Sequence, residues 1–397
     1  MLTNGQELLL QGFHWKSHLG SREATGTVKP WWRIVRENAL NIRKAGYTHI
    51  WLPPASDSLA PQGYIPRRWF DFHSAYGNLA ELKQALQALG PVAALADVVV
   101  NHRVGVHTGG ADFDDPPFSD NAAAICCDDE SGVGTGAPDT GERHPCGRDL
   151  DHTNPDVRLA IKSYLHRLKE IGFRGWRWDL VKGFAGRYVG EYIEATGNLF
   201  SVGECFESNP HVVCDWIRST GGRSAAFDFP TRYRLYDALC HNHFAALAVA
   251  SGQRLQAAGL IGIWPKMAVT FVDNHDTEYT REREHEANYD ATRHFPGRWV
   301  ETAYAYTLTH PGVPCVFWQH YFDWGVPTQQ LLEQLLNLRR SACVRSNSQL
   351  TIHHAERGLY AAEIDGRVAL RLGDRMWCPG YGWHEEVSGE RFTVWSR

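Results

Sequence analysis

The chain has 397 residues, a net charge of −5 at pH 7 and 43% hydrophobic residues, the composition of an ordinary folded protein. This length allows one large domain with attachments, or two to three domains. No basic run suggests a nucleic-acid or membrane surface, and no apolar stretch approaches the roughly 20 residues of a transmembrane helix. We therefore expect neither a nucleic-acid partner nor a membrane partner.

The N-terminal sequence MLTNGQELLLQGFHW lacks the basic region and the long apolar run of an export signal. The nine cysteines are scattered, only Cys126 and Cys127 form a close pair, and no CxxC metal pattern exists. We expect mostly free thiols in a reducing compartment. This favours a cytoplasmic location, or a secreted one if a signal has been removed.

Short apolar segments alternate with amphipathic helical patterns along most of the chain. The helical patterns include 31–46, 78–90 and 154–172, and the last begins with Asn154 as a cap and Pro155 at the first helical position. The apolar segments predict eight strands, at 7–13, 48–54, 91–100, 175–180, 199–204, 224–229, 267–273 and 312–318. Eight strand–helix units predict a (β/α)8 TIM barrel of the α/β class. An open dinucleotide-binding sheet is the weaker alternative, because no glycine-rich phosphate loop follows the first strand.

Two stretches depart from this alternation. The third and fourth strands are separated by about 75 residues, where a single crossover needs roughly 30. After a helix at 329–342, the pattern changes to short alternating strands typical of an antiparallel sheet. We predict a catalytic barrel at 1–101 and 153–345, a loop-rich subdomain inserted at 102–152, and a small C-terminal antiparallel β domain at 346–397.

Five of the predicted strands end in polar or ionisable residues. In a (β/α)8 barrel the chemistry is carried where the strands end, at the C-terminal face, so we expect these side chains to meet there. They are Asp97, Asn101 and His102; Arg177, Asp179 and Lys182; Glu204; Asp228; and Asp273, His275 and Asp276.

Asp179 and Glu204 are separated by about one strand–helix repeat, which predicts that they lie on neighbouring strands. Two carboxylates across a cleft are the groups that cleave glycosidic bonds, one ionised as nucleophile and the other protonated as acid. Arg177 lies two residues before Asp179 on one strand face and would keep that carboxylate ionised. Glu204 is expected to face carboxylates rather than a cation, which raises its pKa and suits a general acid.

Several motifs together resemble the α-amylases of glycoside hydrolase family 13, especially plant α-amylases and bacterial maltotetraose-forming amylases. DVVVNH, GWRWDLVKG, VGECFE and FVDNHDT are similar to the four signature regions of that family, in the same order and on the corresponding strands. Further similar stretches are LLLQGFHW, GYIPRRWFDFHSAYGNLAELK, GAPDTGE and AYAYTLTHPGVPCVFWQHYFDWG. The resemblance covers essentially the whole chain and implies retaining hydrolysis of internal α-1,4-glucosidic bonds by double displacement. It also implies starch, glycogen and malto-oligosaccharides as substrates, with the enzyme acting as a monomer.

The resemblance implies a role for each residue of the signature regions. Asp179 would be the nucleophile, Glu204 the acid/base, and Asp276 the third carboxylate, which stabilises the transition state. Arg177 would orient Asp179.

A second set of residues would bind the substrate. His102 and His275 would bind hydroxyls of the sugar at the cleaved bond, and Tyr64 would stack on that sugar. Lys182 would lie just beyond the bond. Phe206 stands where plant enzymes have tryptophan, so stacking there would persist with less area.

The inserted segment has few apolar residues and many aspartates, which favours a hard-cation site over a zinc site. The resemblance implies that Ca2+ is the ion. Its ligands would be the side chains of Asn101, Asp139 and Asp149 and the carbonyls of Glu142 and Gly183.

Four other functions are alternatives to this one. A transglycosylase or an exo-acting, malto-oligosaccharide-forming amylase could use the same site, since water and a sugar hydroxyl compete for one intermediate. A non-catalytic carbohydrate-binding protein is disfavoured by the three retained carboxylates. A metallohydrolase is disfavoured by the absence of a compact histidine ligand set such as HExxH.

The charged stretch at 277–299 is either a solvated loop or a segment that reshapes the cleft.

Overall fold

A computed structural model describes residues 5–24, 26–107, 110–197, 199–278 and 294–397. Eight parallel strands within these ranges close into a barrel, each strand paired with its neighbours along the chain and the last with the first. They are β1 (Leu9–Gln11), β2 (His49–Leu52), β3 (Ala93–Val98), β4 (Gly175–Trp178), β5 (Phe200–Gly203), β6 (Ala225–Phe227), β7 (Ala268–Phe271) and β8 (Val313–Phe317). All eight predicted strands and the barrel itself are confirmed.

A long helix follows each barrel strand. The helices are α1 (Trp31–Ala45), α2 (Leu79–Leu89), α3 (Pro155–Ile171), α4 (Gly186–Thr196), α5 (Pro210–Ser219), α6 (Phe229–Cys240), α7 (Gly297–Thr309) and α8 (Val326–Ser341). α2 begins with a capping box between Asn78 and Glu81. α3 begins with the predicted Asn154 cap and Pro155. Because the helices cover the outside of the barrel, most strand residues are buried on both faces, which explains the continuous apolar runs in the sequence.

The segment between β3 and α3 is joined to the barrel by a short antiparallel ladder between His102–Arg103 and Arg148–Asp149. The Arg103 guanidinium is fully buried and donates to three backbone carbonyls, those of Arg67, Asp115 and Pro116. It also lies over the rings of Trp69, Phe113 and Phe118. A buried cation therefore organises loops that have little apolar core of their own.

The C-terminal residues form an antiparallel sheet of five strands in the order β9-β10-β11-β13-β12. These strands are β9 (Leu350–Glu356), β10 (Leu359–Ile364), β11 (Val368–Leu372), β12 (His384–Gly389) and β13 (Phe392–Ser396). The domain boundaries at residues 101, 152 and 345 stay a prediction. Across the described ranges, no helix is both long and apolar enough to span a membrane.

Candidate active site

Arg177 is the centre of a buried charge cluster at the C-terminal ends of β3, β4 and β5. Its Nη1 lies 2.8 Å from Asp97 Oδ1 and 2.6 Å from Asp179 Oδ1, and its Nη2 lies 2.5 Å from Glu204 Oε1. The guanidinium is fully buried, and both Asp179 and Glu204 are 8% exposed. One cation therefore contacts three carboxylates in a place that water barely reaches.

Strand register brings these groups together. Arg177 pairs with Asp97 across β4 and β3, so their side chains project to the same face. Trp178 pairs with Gly203 across β4 and β5, and the Glu204 amide donates to the Trp178 carbonyl at 3.0 Å. The next residues along each strand, Asp179 and Glu204, are consequently neighbours. The prediction that they lie on adjacent strands is confirmed.

The Glu204 carboxylate contacts a cation as well as lying near other carboxylates. Its carboxylate was expected to face only other carboxylates, and this is wrong, because Arg177 Nη2 contacts Glu204 Oε1. The contact lacks hydrogen-bond geometry. Burial nevertheless raises the pKa of Glu204 well above its usual value despite the opposing charge of Arg177, and the negative charges of Asp276 and Asp179 raise it further. The predicted direction holds, but desolvation is its main cause.

Asp97 also contacts several buried groups, although no individual role was predicted for it from the sequence. Besides Arg177, its carboxylate accepts hydrogen bonds from Tyr64 Oη at 2.8 Å and from Trp51 Nε1 at 2.9 Å. Burial and the charge of Asp179 raise the pKa of Asp97 to about 7, against the opposing effect of Arg177. The sequence signal was an aspartate inside an apolar strand, where a charge must have partners.

The turn after β7 carries the other predicted carboxylate. Asn274 Oδ1 accepts from the amide of Asp276 at 3.0 Å and from that of Thr277 at 2.9 Å, so an Asx-type turn sets the direction of Asp276. His275 Nε2 lies 3.3 Å from Asp276 Oδ2, and its Nδ1 contacts Gln11 Nε2 at 3.1 Å. Gln11, a polar residue inside the apolar run of β1, is a site residue that sequence reasoning missed.

The predicted sugar-binding residues also lie near this cluster. Tyr64 and His275 have nearly parallel rings, with centroids 5.0 Å apart and planes at 12°. His102 is 2% exposed, and its Nε2 donates to the Tyr64 carbonyl at 2.8 Å. Lys182 Nζ lies 3.0 Å from Glu142 Oε1 and therefore links the insertion to β4. Each of these side chains has a protein partner in addition to any contact with a sugar.

Two predicted positions are more peripheral. Phe206 is half-buried and packs on Phe229, with centroids 4.2 Å apart. Asp228 is not part of the site, because it is the N-cap of α6 and accepts from the amides of Thr231, Leu260 and Ile261. The charged stretch at 277–299 lies largely outside the described residues, since 279–293 are not among them.

The predicted cation ligands surround the junction between the insertion and β4. Buried carboxylate oxygens without a hydrogen-bond partner occur at Asp139 Oδ2 and Asp149 Oδ2. Asn101 Nδ2 donates to Asp149 Oδ1 at 3.1 Å, and a Cβ added at Gly183 would lie 2.0 Å from Asn101 Oδ1. Only glycine permits this close approach. The amide of Glu142 donates to the Lys182 carbonyl at 2.7 Å, which holds its loop against the same junction.

These groups fit a hard cation. Burial, with the charges of Asp139 and Glu130, raises the pKa of Asp149 to about 7, and crowded carboxylate oxygens are the ligands that suit Ca2+. A second group, Asp129, Glu130 and Asp149, also has its carboxylate oxygens close together. The oxygens of Asp129 already accept from Ser131, Arg148 and the Asp149 amide, so they are less available to an ion.

Comparison with known proteins supports the resemblance to the α-amylases. Residues 341–396 match the family described as alpha-amylase C-terminal beta-sheet domain. The chain is 37% identical to "Probable alpha-amylase 2" of Arabidopsis thaliana, over 100% of this chain and 95% of that protein. It is 31% identical to glucan 1,4-alpha-maltotetraohydrolase of Stutzerimonas stutzeri, over 92% of this chain and 67% of that protein.

Among solved structures, an Anoxybacillus α-amylase aligns with a TM-score of 0.70 and 15% identity, covering 99% of this chain and 98% of that one. Identity this low supports the fold alone. The fold and the site define an enzyme of the glycoside hydrolase class. The whole-length similarity then gives the family: the chain belongs to the α-amylases of glycoside hydrolase family 13.

Proposed function

We propose that this enzyme hydrolyses internal α-1,4-glucosidic bonds of starch, glycogen and malto-oligosaccharides with retention of anomeric configuration. The observation that carries the proposal is the contact of Asp179 and Glu204, on adjacent strands, with the two terminal nitrogens of Arg177. A retaining enzyme needs two close carboxyl groups in different protonation states.

The cluster supports different protonation states for its carboxylates. One guanidinium cannot compensate three buried carboxylates, so a proton remains on the cluster near neutral pH. Glu204 is the residue to hold it, because burial and neighbouring negative charges raise its pKa well above the usual value. Asp179, which accepts a hydrogen bond from Arg177 Nη1 at 2.6 Å, would be the nucleophile.

The reaction follows from these roles. Asp179 attacks the anomeric carbon while Glu204 gives its proton to the leaving oxygen, and the bond to the leaving sugar breaks. Glu204, now ionised, takes a proton from water, which displaces Asp179 from the sugar. Asp276 stabilises the positive charge that develops on the sugar ring in both steps.

Five residues would bind the sugars. Tyr64 would stack on the sugar at the cleaved bond, with His102 and His275 on its hydroxyls. Lys182 and Phe206 would contact the sugar beyond that bond. The stacking of the Tyr64 ring on the His275 ring, at 5.0 Å, supports a fixed orientation for Tyr64.

Proton NMR of the first product tests the proposal. We expect the α-anomer at early times, followed by slow mutarotation. Initial release of the β-anomer would contradict retention and the role of Asp179 as nucleophile.

The similarity to a maltotetraohydrolase makes a fixed product length a second candidate. Chromatography of early starch digests would then show one dominant oligosaccharide. Addition of an acceptor sugar would expose transglycosylation.

We further propose that the junction of the insertion binds Ca2+. The side chains of Asn101, Asp139 and Asp149 and the carbonyls of Glu142 and Gly183 would hold the ion. The support is the pair of buried, unpartnered carboxylate oxygens and the close approach of Asn101 to Gly183. When bound, the ion would neutralise the carboxylates and join the insertion to β4.

Chelation tests the calcium site. A metal that binds only the folded state stabilises it by about 4 kcal/mol at a thousandfold excess over Kd. EDTA should therefore lower the melting temperature and the activity, and Ca2+ should restore both. Asp149→Ala should have the effect of EDTA and be insensitive to added Ca2+. An unchanged melting curve after exhaustive chelation, with no calcium by elemental analysis, would contradict this site.

We also propose that the enzyme acts as a monomer, as the resemblance to the α-amylases implies. Sedimentation at the concentrations used for the assays would test this.

A further inference from the structure

Gln11 is a buried amide that has no role in the reaction proposed above. It ends β1 and is 1% exposed. Its Nε2 lies 3.1 Å from His275 Nδ1, across 264 positions of sequence. Its Oε1 is buried and has no hydrogen-bond partner among the described residues. Because a half-satisfied buried amide costs free energy of folding, its contact with His275, rather than stability, accounts for a glutamine here.

The His275 ring is held in one plane by its neighbours. It is 1% exposed, and its centroid lies 5.0 Å from that of Tyr64, 5.1 Å from that of Phe13 and 5.3 Å from that of Trp51. Its two nitrogens contact different groups. Nδ1 contacts Gln11, and Nε2 lies 3.3 Å from Asp276 Oδ2. These polar neighbours therefore favour one of the two positions that the ring proton can take.

The position of the proton follows from the chemistry of the neighbours. Asp276 must be ionised to stabilise a positive charge, and an ionised carboxylate only accepts hydrogen bonds. A bare Nε2 would place two lone pairs against each other, whereas Nε2–H donates to Asp276. Nδ1 is then an acceptor, and the Gln11 amide is its donor. This donor also disfavours a second proton on the ring, which would place a cation beside the positive charge that develops on the sugar.

We propose that Gln11 is a positioning residue that holds His275 as a neutral imidazole with its proton on Nε2. His275 can then donate to Asp276 or to a sugar hydroxyl without adding positive charge to the site. The inference rests on the proposed function. It adds a residue that acts on the reaction through His275 and not through contact with the sugar.

The tautomer can be measured without substrate. Long-range 1H–15N NMR spectra of the histidine-labelled enzyme distinguish a protonated ring nitrogen from a bare one, and a His275→Asn variant assigns the signals by their loss. We expect a protonated Nε2 and a bare Nδ1 in the wild type. Gln11→Glu replaces the donor by an acceptor and should place a proton on Nδ1. Gln11→Met removes the donor and should lower the ratio of the Nε2–H to the Nδ1–H tautomer about tenfold.

Kinetics with maltoheptaose test the consequence for the reaction. Gln11→Met should lower kcat about tenfold and Gln11→Glu about a hundredfold, with KM within about threefold. In a His275→Asn background, Gln11→Met should have no further effect, because Gln11 acts through His275. Gln11→Met should melt at the temperature of the wild type or above it, because it removes a half-satisfied amide.

Thr270→Val is the matched control. Thr270 lies in β7 and is 1% exposed, and its Oγ1 is also buried without a hydrogen-bond partner among the described residues. Its replacement removes a comparable polar group from the barrel. We expect a change in melting temperature without a change in kcat or in the His275 signals.

Four outcomes would overturn the inference: a protonated Nδ1 in the wild type, a bare Nδ1 in Gln11→Glu, an unchanged kcat for Gln11→Met, or the same loss of kcat from Gln11→Met in the His275→Asn background. If the Gln11 variants do not fold, the wild-type spectrum decides. Failure of the wild type to cleave maltoheptaose would instead contradict the proposed function. Because the spectrum is recorded without substrate, the two failures are distinguishable.

Discussion

Replacing Glu204 by Gln separates the chemistry of the site from its stability. The amide has nearly the same shape and keeps an oxygen that can face Arg177, but it cannot give a proton to the leaving oxygen. Glu204 is buried and touches Arg177 at 2.5 Å, so a glutamine of nearly the same shape meets the same surroundings. We therefore expect a folded, oligosaccharide-binding enzyme without its acid.

The magnitude follows from the role. Loss of a general acid lowers kcat by on the order of 10²–10⁴, or about 3–5 kcal/mol of transition-state stabilisation. KM should change only a few-fold, because the sugar contacts assigned above come from other residues.

The same variant has an expected stability signature. Burial raises the pKa of Glu204 in the folded state above its unfolded value. Between these two pKa values the folded state holds one more proton than the unfolded state, so the free energy of unfolding falls as pH rises, by up to about 1.4 kcal/mol per pH unit. Glu204→Gln lacks this proton. It should therefore lose less stability than the wild type as the pH rises above the ordinary pKa of a glutamate.

Reducing-sugar release measures kcat, and binding calorimetry measures the affinity for maltoheptaose. Thermal melts at several pH values measure how stability changes with pH. Glu301→Gln, a change remote from the cleft, is the control for the general effect of removing a carboxylate. Activity within tenfold of the wild type would refute the acid assignment. Identical slopes of melting temperature against pH would refute the raised pKa.

Two further predictions concern groups outside the reacting pair. Asp273→Asn should lower the free energy of unfolding by about 3–5 kcal/mol in thermal or denaturant melts, because it removes one partner of the buried ion pair with Arg232 at 2.6 Å; a change below 1 kcal/mol would contradict this. Gly183→Ala should lower activity and calcium content together, because its Cβ would lie 2.0 Å from Asn101 Oδ1, whereas Gly297→Ala, with its nearest contact at 3.7 Å, should do neither. Normal calcium content in Gly183→Ala would contradict the proposed ligand set.

The barrel and the face that carries the site can be predicted from the amino-acid sequence. Buried parallel strands require apolar runs on both faces, so all eight strands were visible as short apolar segments. Polar residues that end such runs must leave the core, and parallel strands end at one face. For the same reason Asp179 and Glu204 could be assigned to adjacent strands from their spacing alone.

Which polar groups contact each other depends on the folded structure. The sequence did not indicate that Arg177 reaches Glu204 as well as Asp179, or that Asp97 binds Tyr64. These contacts depend on how far side chains reach from different strands. The periodicity of the sequence predicts which face a side chain lies on, but not the distances between side chains.

The Gln11–His275 contact, between residues 264 positions apart, is decided in the same way. The main cause of the raised Glu204 pKa, which is desolvation, also depends on the folded structure. Desolvation depends on how completely the closed barrel and its loops exclude water, and that is a property of the folded chain as a whole.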